Sequence, residues 1–407
     1  MPKSRESPML DAYIYQGLRT PFGRHAGALA SVRPDDLLAG VIRALMTRSA
    51  IPATAIEDVI AGCANQAGED SRNVARHAAL LAGLPASVAG MTVNRLCGSG
   101  LAALLDCARA ATVGQGELFI AAGVESMSRA PFVQAKAESA YSRELKVFDS
   151  TLGARFPNPA LEQLYGRDTM PETADNIAHD LDISREASDA FALASQRKYA
   201  AAEEAGFFSG ELEPVVIAGK RGSTVRVERD EHPRPETTSE RLAVLAPLFA
   251  GGVVTAGNAS GINDGAGALL IGTRAAGERL HLEPLARILT GAVAGVEPRV
   301  MGLGPVPAIA NALALANLPL SAMDVIEINE AFATQVLGCL KQLGLSGDDG
   351  RLNPNGGAIA VGHPLGASGI RIALNAARQL QRSGGRYAVA SMCIGVGQGI
   401  AVVLQRS

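Results

Sequence analysis

Short apolar runs alternate along the chain with stretches whose apolar residues recur every three to four positions. Residues 12–15, 58–61, 91–94 and 119–122 read as strands, and residues 34–49, 73–82 and 101–112 as helices. Gly83 and Pro85 stop the second of these helices. Such alternation predicts an α/β fold with mostly parallel strand pairing. The texture changes from about Ser128. Residues 141–165 have no clear period, residues 172–206 are strongly helical, and residues 220–240 are charged and rich in turn formers. This block reads as an insertion facing a substrate. Regular alternation resumes near Ala268 and runs to the end.

A faint internal repeat suggests two related halves. Cys97-Gly98-Ser99-Gly100 opens a helix that leads to the strand at 119–122. Gly366-Ala367-Ser368-Gly369 opens another, which leads through Gly384-Gly385 to a strand at 387–391. Asp58-Val59-Ile60 and Asp324-Val325-Ile326 precede the two units at equivalent places. Chance and duplication both fit so weak a likeness. Duplication would set the two Gly-rich turns around one cleft.

Composition narrows the choices. A chain of 407 residues is too long for one ordinary core, so two similar units with an insertion are expected. The net charge of -3 and the 4% aromatic content, with no Trp, give no footprint for nucleic acid. The five cysteines, at 63, 97, 107, 339 and 393, contain no close pair. That spacing argues against a disulfide framework or a metal site and favours a reducing, cytoplasmic setting. The opening MPKSRESPML lacks the apolar core of a secretion signal; it reads as an extension, with Met9 as an alternative start. No apolar run is long enough to span a membrane.

Four segments carry candidate chemistry. In Asn94-Arg95-Leu96-Cys97-Gly98-Ser99-Gly100 a strand hands over to a helix. A thiol there meets the positive end of the helix dipole, which favours the thiolate, and free N–H groups that could hold an oxyanion. On this segment alone a small buried Cys packed among glycines fits equally well. His363 sits in Val361-Gly362-His363-Pro364-Leu365-Gly366, a turn too rich in Gly for mere packing, and His is the usual base for a thiol. Cys393 enters Ile394-Gly395-Val396-Gly397, where it is either inert, as expected for Cys63, Cys107 and Cys339, or beside a ligand approached by backbone N–H groups. In Asn329-Glu330-Ala331-Phe332 a polar pair follows a strand; the Asn could fix a water and the Glu could be structural.

Together and in this order, the four segments resemble the signatures of the thiolase family. Ala256-Gly257-Asn258-Ala259-Ser260-Gly261 and Met301-Gly302-Leu303-Gly304-Pro305 resemble it too. The resemblance implies an α/β thiolase fold: two pseudo-symmetric mixed-sheet halves in a five-layer α-β-α-β-α arrangement with an inserted loop domain. It divides the chain into residues 10–127 with 262–284, a loop domain at 128–261 over the coenzyme A site, and residues 285–407. It implies that Cys97 is the nucleophile, that His363 activates it and that Cys393 moves the proton at the α-carbon. Asn329, through a water, and His363 would form one oxyanion hole; the N–H groups of Cys97 and Gly395 would form another. Arg234 would face the nucleotide end of coenzyme A, Ala256 and Ser260 its pantetheine, and Met170, Met301 and Phe332 the apolar tunnel. Coenzyme A is then a co-substrate, with no prosthetic group and no metal, and a homodimer or homotetramer is expected.

Within the family, Gly62-Cys63-Ala64-Asn65-Gln66-Ala67-Gly68-Glu69-Asp70, Arg167-Asp168-Thr169-Met170-Pro171 and Arg234-Pro235-Glu236-Thr237-Thr238 look closest to thiolases of 3-oxoadipyl-CoA. Such a substrate ends in a carboxylate, for which Arg129 and Arg167 are candidate partners. General 3-ketoacyl-CoA thiolysis and acetyl-CoA acetyl transfer are the nearest alternatives. A ketosynthase would want a second His or a His–Asn pair with its Cys. A non-catalytic coenzyme A-ester carrier would not need all four polar groups.

Overall fold

The computed structural model describes residues 9–219 and 222–407. The extension expected at the start falls on residues 1–8, outside the described residues.

Nine strands form one hydrogen-bonded path. They are β1 (Ala12–Arg19), β2 (Asp58–Gly62), β3 (Ala89–Val93), β4 (Leu118–Ser126), β5 (Asn263–Gly272), β6 (Ala286–Gly295), β7 (Val325–Ile328), β8 (Tyr387–Ile394) and β9 (Gln398–Arg406). Their order is β7-β8-β9-β6-β1-β5-β4-β2-β3. A two-residue strand, Gly23–Arg24, adds to β5. The two halves match: β3-β2-β4-β5-β1 in the first corresponds to β7-β8-β9-β6 in the second. The place of β3 is taken in the second half by a lone parallel bridge from Ile326 to Leu352. A short antiparallel ladder, Ala12–Ile14 against Ala286–Ile288, joins the halves.

Pairing is mixed, as the resemblance implies. The expectation of mostly parallel strands fails. β2 is parallel to β3 and β4, and β7 to β8, while β1, β5, β6 and β9 all pair antiparallel. The reason is that β9 returns from β8 through a short Gly-rich turn and β5 enters from the insertion, so neither follows a helical crossover.

Three core clusters define the layers. Helices α1 (Pro34–Ser49) and α2 (Val74–Leu81) cover one face of the first half. Helices α3 (Ser99–Thr112) and α8 (Leu365–Ser383) lie between the two halves. Helices α6 (Pro305–Ala316) and α7 (Ala333–Leu343) cover the far face of the second half. The outer helix α1 is amphipathic, with Leu37, Leu38, Val41, Ile42 and Leu45 buried. Middle helix α8 is instead buried all round from Gly366 to Ala377, as a helix between two sheets must be. Each fully buried Leu or Ile there stabilises the fold by about 1.5–3 kcal/mol.

The middle helices meet through glycine. A Cβ on Gly100 would lie 2.6 Å from the Gly366 carbonyl oxygen, and one on Gly369 would lie 2.3 Å from the Leu101 nitrogen. With no side chain at either crossing the two backbones touch, and both helix N-termini come to one place. The residues just before them, Cys97 and His363, are delivered there.

The insertion departs from its expected texture in detail. The helical stretch at 172–206 is two helices, α4 (Met170–Asp180) and α5 (Arg185–Glu204), broken where Asp182 turns left-handed at φ 50°. Two-stranded ribbons, Phe132–Gln134 with Val147–Asp149 and Val215–Ala218 with Thr224–Val227, each place one strand in a stretch that read as irregular or turn-rich.

Candidate active site

The turn before α3 is held from both sides. The Asn94 side chain donates to the Ala64 carbonyl at 3.0 Å and accepts from the Leu96 N–H at 2.9 Å. Ser99 Oγ donates to the Leu96 carbonyl at 2.6 Å and accepts from the Arg95 N–H at 2.9 Å. Leu96 is forced to φ 47°, a left-handed conformation disfavoured for a branched side chain. Val396, beside Gly395, is held at φ 65°. Strain in two side-chain-bearing residues flanking one spot is typical of a site.

The Cys97 sulfur faces the Gly395 N–H, which together with its own N–H favours the thiolate. Burial outweighs both and lifts the thiol to about 11. This corrects the expectation of a thiol made acidic by the helix end. A desolvated sulfur loses more from water than two backbone donors return. Cys97 is therefore protonated at rest and needs a base.

His363 can be that base. Burial, helped by the Arg371 charge, drops its pKa to about 3, so the ring is neutral. Its backbone N–H is held by Asn263 Oδ1 at 2.9 Å. Ser368 Oγ donates to the Pro364 carbonyl at 3.0 Å and so accepts from Nδ1–H at 2.6 Å. Nδ1 therefore carries the proton and Nε2 is a bare acceptor. Nε2 is buried and has no partner among the described residues.

Asn329 lies at the end of β7, fully buried, its N–H bonded to the Ser391 carbonyl at 2.9 Å. Its Oδ1 accepts from Arg371 Nη2 at 3.3 Å, which turns Nδ2 toward His363, 3.5 Å from Nδ1. Both of those nitrogens bear protons, so this is proximity and not a hydrogen bond. Glu330 is structural, one of the readings left open above. Its carboxylate accepts from Ser195 at 2.6 Å, Asn353 at 2.9 Å and the Ile359 N–H at 3.2 Å, tying α5 and the loop before His363 to the Asn329 turn.

Cys393 ends β8 in an apolar cluster with Met301, Phe332, Ala331 and Met170. Burial and the neighbouring Cys97 and Cys339 thiols push its pKa up. Met170 Sδ lies 3.7 Å from where a Cβ on Gly395 would stand. His363 stands beside Asn329, and Gly395 meets Cys97 and Met170 next to the cluster that holds Cys393, Met170, Met301 and Phe332. Ser260 is attached to it by its N–H to the Ala331 carbonyl at 2.9 Å. Arg234 and Ala256 are exposed and stand outside this cluster. Arg129 is engaged by Glu69 at 2.7 Å, which leaves its charge already matched. Arg167 is exposed, three residues ahead of Met170.

Glu125 escaped sequence reading. It is buried in β4, and its carboxylate accepts from the Ala64, Asn65 and Gly366 N–H groups at 2.8–3.0 Å. It thereby ties the loop supporting Asn94 to the start of α8. A lone acid in the apolar run Leu118–Ser126 was the available signal.

Residues 12–275 match the thiolase N-terminal domain, and residues 282–406 match the thiolase C-terminal domain. This chain belongs to the thiolase family. The 3-oxoadipyl-CoA/3-oxo-5,6-dehydrosuberyl-CoA thiolase of Escherichia coli K12 is 58% identical over 98% of this chain and 100% of the relative. The beta-ketoadipyl-CoA thiolase of Pseudomonas putida is 55% identical over the same shares. Human mitochondrial 3-ketoacyl-CoA thiolase in complex with CoA superposes with a TM-score of 0.90 at 40% identity, covering 98% of this chain and all of that one. This thiolase is therefore an acyltransferase, and its fold is the one the resemblance implied.

Proposed function

We propose that this thiolase cleaves 3-oxoadipyl-CoA with CoA to succinyl-CoA and acetyl-CoA through an acyl group carried on Cys97. The observation that carries the mechanism is the bare, buried Nε2 of a neutral His363, just ahead of a helix that touches the one preceded by a protonated Cys97. The substrate rests on the 58% identity to a relative named for it.

Nε2 takes the Cys97 proton, and the thiolate attacks the 3-keto carbon. Collapse of the adduct restores the carbonyl as a thioester on Cys97 and breaks the bond between the α and β carbons. The departing acetyl-CoA enolate takes a proton from Cys393. CoA then gives its thiol proton to Cys393 and attacks the thioester. Cys97 leaves as thiolate and recovers its proton from His363. Enolate charge on the thioester oxygen is the hard part, and fixed donors in a dry site stabilise it most effectively. The N–H groups of Cys97 and Gly395 serve one oxygen; Asn329, through a water, and His363 serve the other.

CoA lies under a loop domain formed by residues 128–261, between one half at 10–127 with 262–284 and the other at 285–407. Its pantetheine runs past Ser260 and Ala256 with Met170, Met301 and Phe332 along the tunnel, and its nucleotide reaches Arg234 at the surface. A homodimer or homotetramer fits the free edge of β3, which pairs only with β2 among the described residues and leaves Met91 42% exposed. A cytoplasmic setting fits five unpaired cysteines. Mass analysis of the products from 3-oxoadipyl-CoA and CoA tests the reading: succinyl-CoA and acetyl-CoA in equal amounts support it. Preference for unsubstituted 3-oxoacyl chains, or for acetoacetyl-CoA, would overturn the substrate.

A further inference from the structure

The polar seam between β7 and α8 is not needed by the chemistry above, yet it lies against it. Glu327 and Asn329 are two apart on one extended segment and so face the same side. Arg371 and Asn375 are four apart on α8 and so share one face. Helix α8 packs on β7, and all four side chains are buried, at 1%, 0%, 1% and 1% exposure. They sit beside a core cluster made mostly of Ala, Ile and Leu.

Arg371 Nη2 donates to Asn329 Oδ1, while its Nε and Nη1, with Glu327 Oε1 and Asn375 Oδ1, find no partner among the described residues. A buried guanidinium so lightly engaged costs stability, and an apolar side chain would pack more favourably. Stability therefore does not explain it. Asn329 supplies the motive. An amide has nearly the same shape either way round, so nothing in packing alone decides whether oxygen or nitrogen faces the site. Guanidinium is a donor only and stays protonated, so it selects Oδ1. The donor side of the amide is then left for the reacting atoms.

We propose that Arg371, held beside Glu327, is a positioning residue that fixes the Asn329 amide with its N–H side available to the water that serves the reacting oxygen. The inference rests on the role given to Asn329 above. It makes the effect of Arg371 conditional on Asn329, which a merely structural role would not do.

A double-mutant cycle tests this in the full enzyme. Arg371→Met is expected to lower kcat about tenfold to a hundredfold with KM little changed, and to have almost no effect once Asn329→Ala is present. An equal loss in both backgrounds would overturn the proposal. Should Arg371→Met fail to fold with Glu327 stranded, Glu327→Gln/Arg371→Met removes both ionisable groups and takes its place in the cycle. A crystal structure of the variant by neutron diffraction, which tells the amide nitrogen from the oxygen, gives a second readout that needs no activity. A turned or disordered Asn329 amide supports positioning, and an unchanged one overturns it. If the unmodified enzyme cleaves no 3-oxoacyl-CoA, the proposed reaction falls, and the crystal structure alone decides the positioning claim.

Discussion

Helices α3 and α8 occupy equivalent places in the two halves, and they differ in what they bury. Each starts beneath a turn braced by its own serine: Ser99 holds the Leu96 carbonyl, and Ser368 holds the Pro364 carbonyl. Each meets the other through glycine. Beyond that the likeness ends. The buried face of α3 is Leu, Ala, Gly and Cys after Ser99, whereas α8 buries Arg371 and Asn375. In the repeat Ala102 stands where Arg371 stands. The first half thus presents the Cys97 sulfur ahead of a helix with an apolar buried face. The second holds His363, Asn329, Cys393 and Gly395 together with the charges behind them. One scaffold served twice, and the groups proposed to move protons were concentrated in one copy of it.

The sharpest way to break this division is to remove the sulfur. Cys97→Ala is expected to lower kcat by about 10⁴-fold or more, as loss of a nucleophile does elsewhere. Thiolysis followed by loss of the 3-oxoacyl-CoA enolate absorbance would measure it. Next comes the second half. Asn329→Ala should cost about 10²–10³ in kcat with little change in KM, the size of one lost oxyanion donor. An unchanged kcat would remove Asn329 from the mechanism.

Gly369→Ala strikes the contact that both copies share. A Cβ there meets the Leu101 nitrogen at 2.3 Å, so the helices must part. Destabilisation of about 1–3 kcal/mol is expected, read as a lower Tm. Ser368→Ala should lower kcat about tenfold, part of what a positioned general base supplies. Its counterpart Ser99→Ala leaves the His363 tautomer untouched, so the pH profile of kcat should change only in the Ser368 variant. The smallest effect concerns the free enzyme. Burial holds the Cys97 thiol at about 11. Its alkylation rate should therefore climb about tenfold per pH unit through pH 9, with no plateau near the ordinary thiol value of about 8.5.

Much of this arrangement was legible in the chain. The Gly-rich turns pointed to Cys97, His363 and Cys393, and the ordered motifs named the family. The faint repeat matches the observed strand order of the two halves. Four things were not legible. Strand direction depends on where the chain returns from, which apolar periodicity does not record, so mostly parallel pairing was expected while β5 and β9 pair antiparallel. The acidity of Cys97 follows from how deeply its sulfur is desolvated, a quantity that only packing sets. Arg371, Glu327 and Glu125 look like ordinary charges until strand and helix periods are laid on one another and found to face inward. Helix breaks inside 172–206 hung on one left-handed residue, Asp182, which carries no Gly or Pro signal.

Intact-mass analysis after mixing the enzyme with 3-oxoadipyl-CoA, with no free CoA, tests the acyl carrier most directly. The account predicts a gain of one succinyl group, mapped to the peptide containing Cys97, released when CoA is added and absent from Cys97→Ala. Acetyl-CoA released with no adduct on Cys97, or the same adduct on the Cys97→Ala protein, would contradict it.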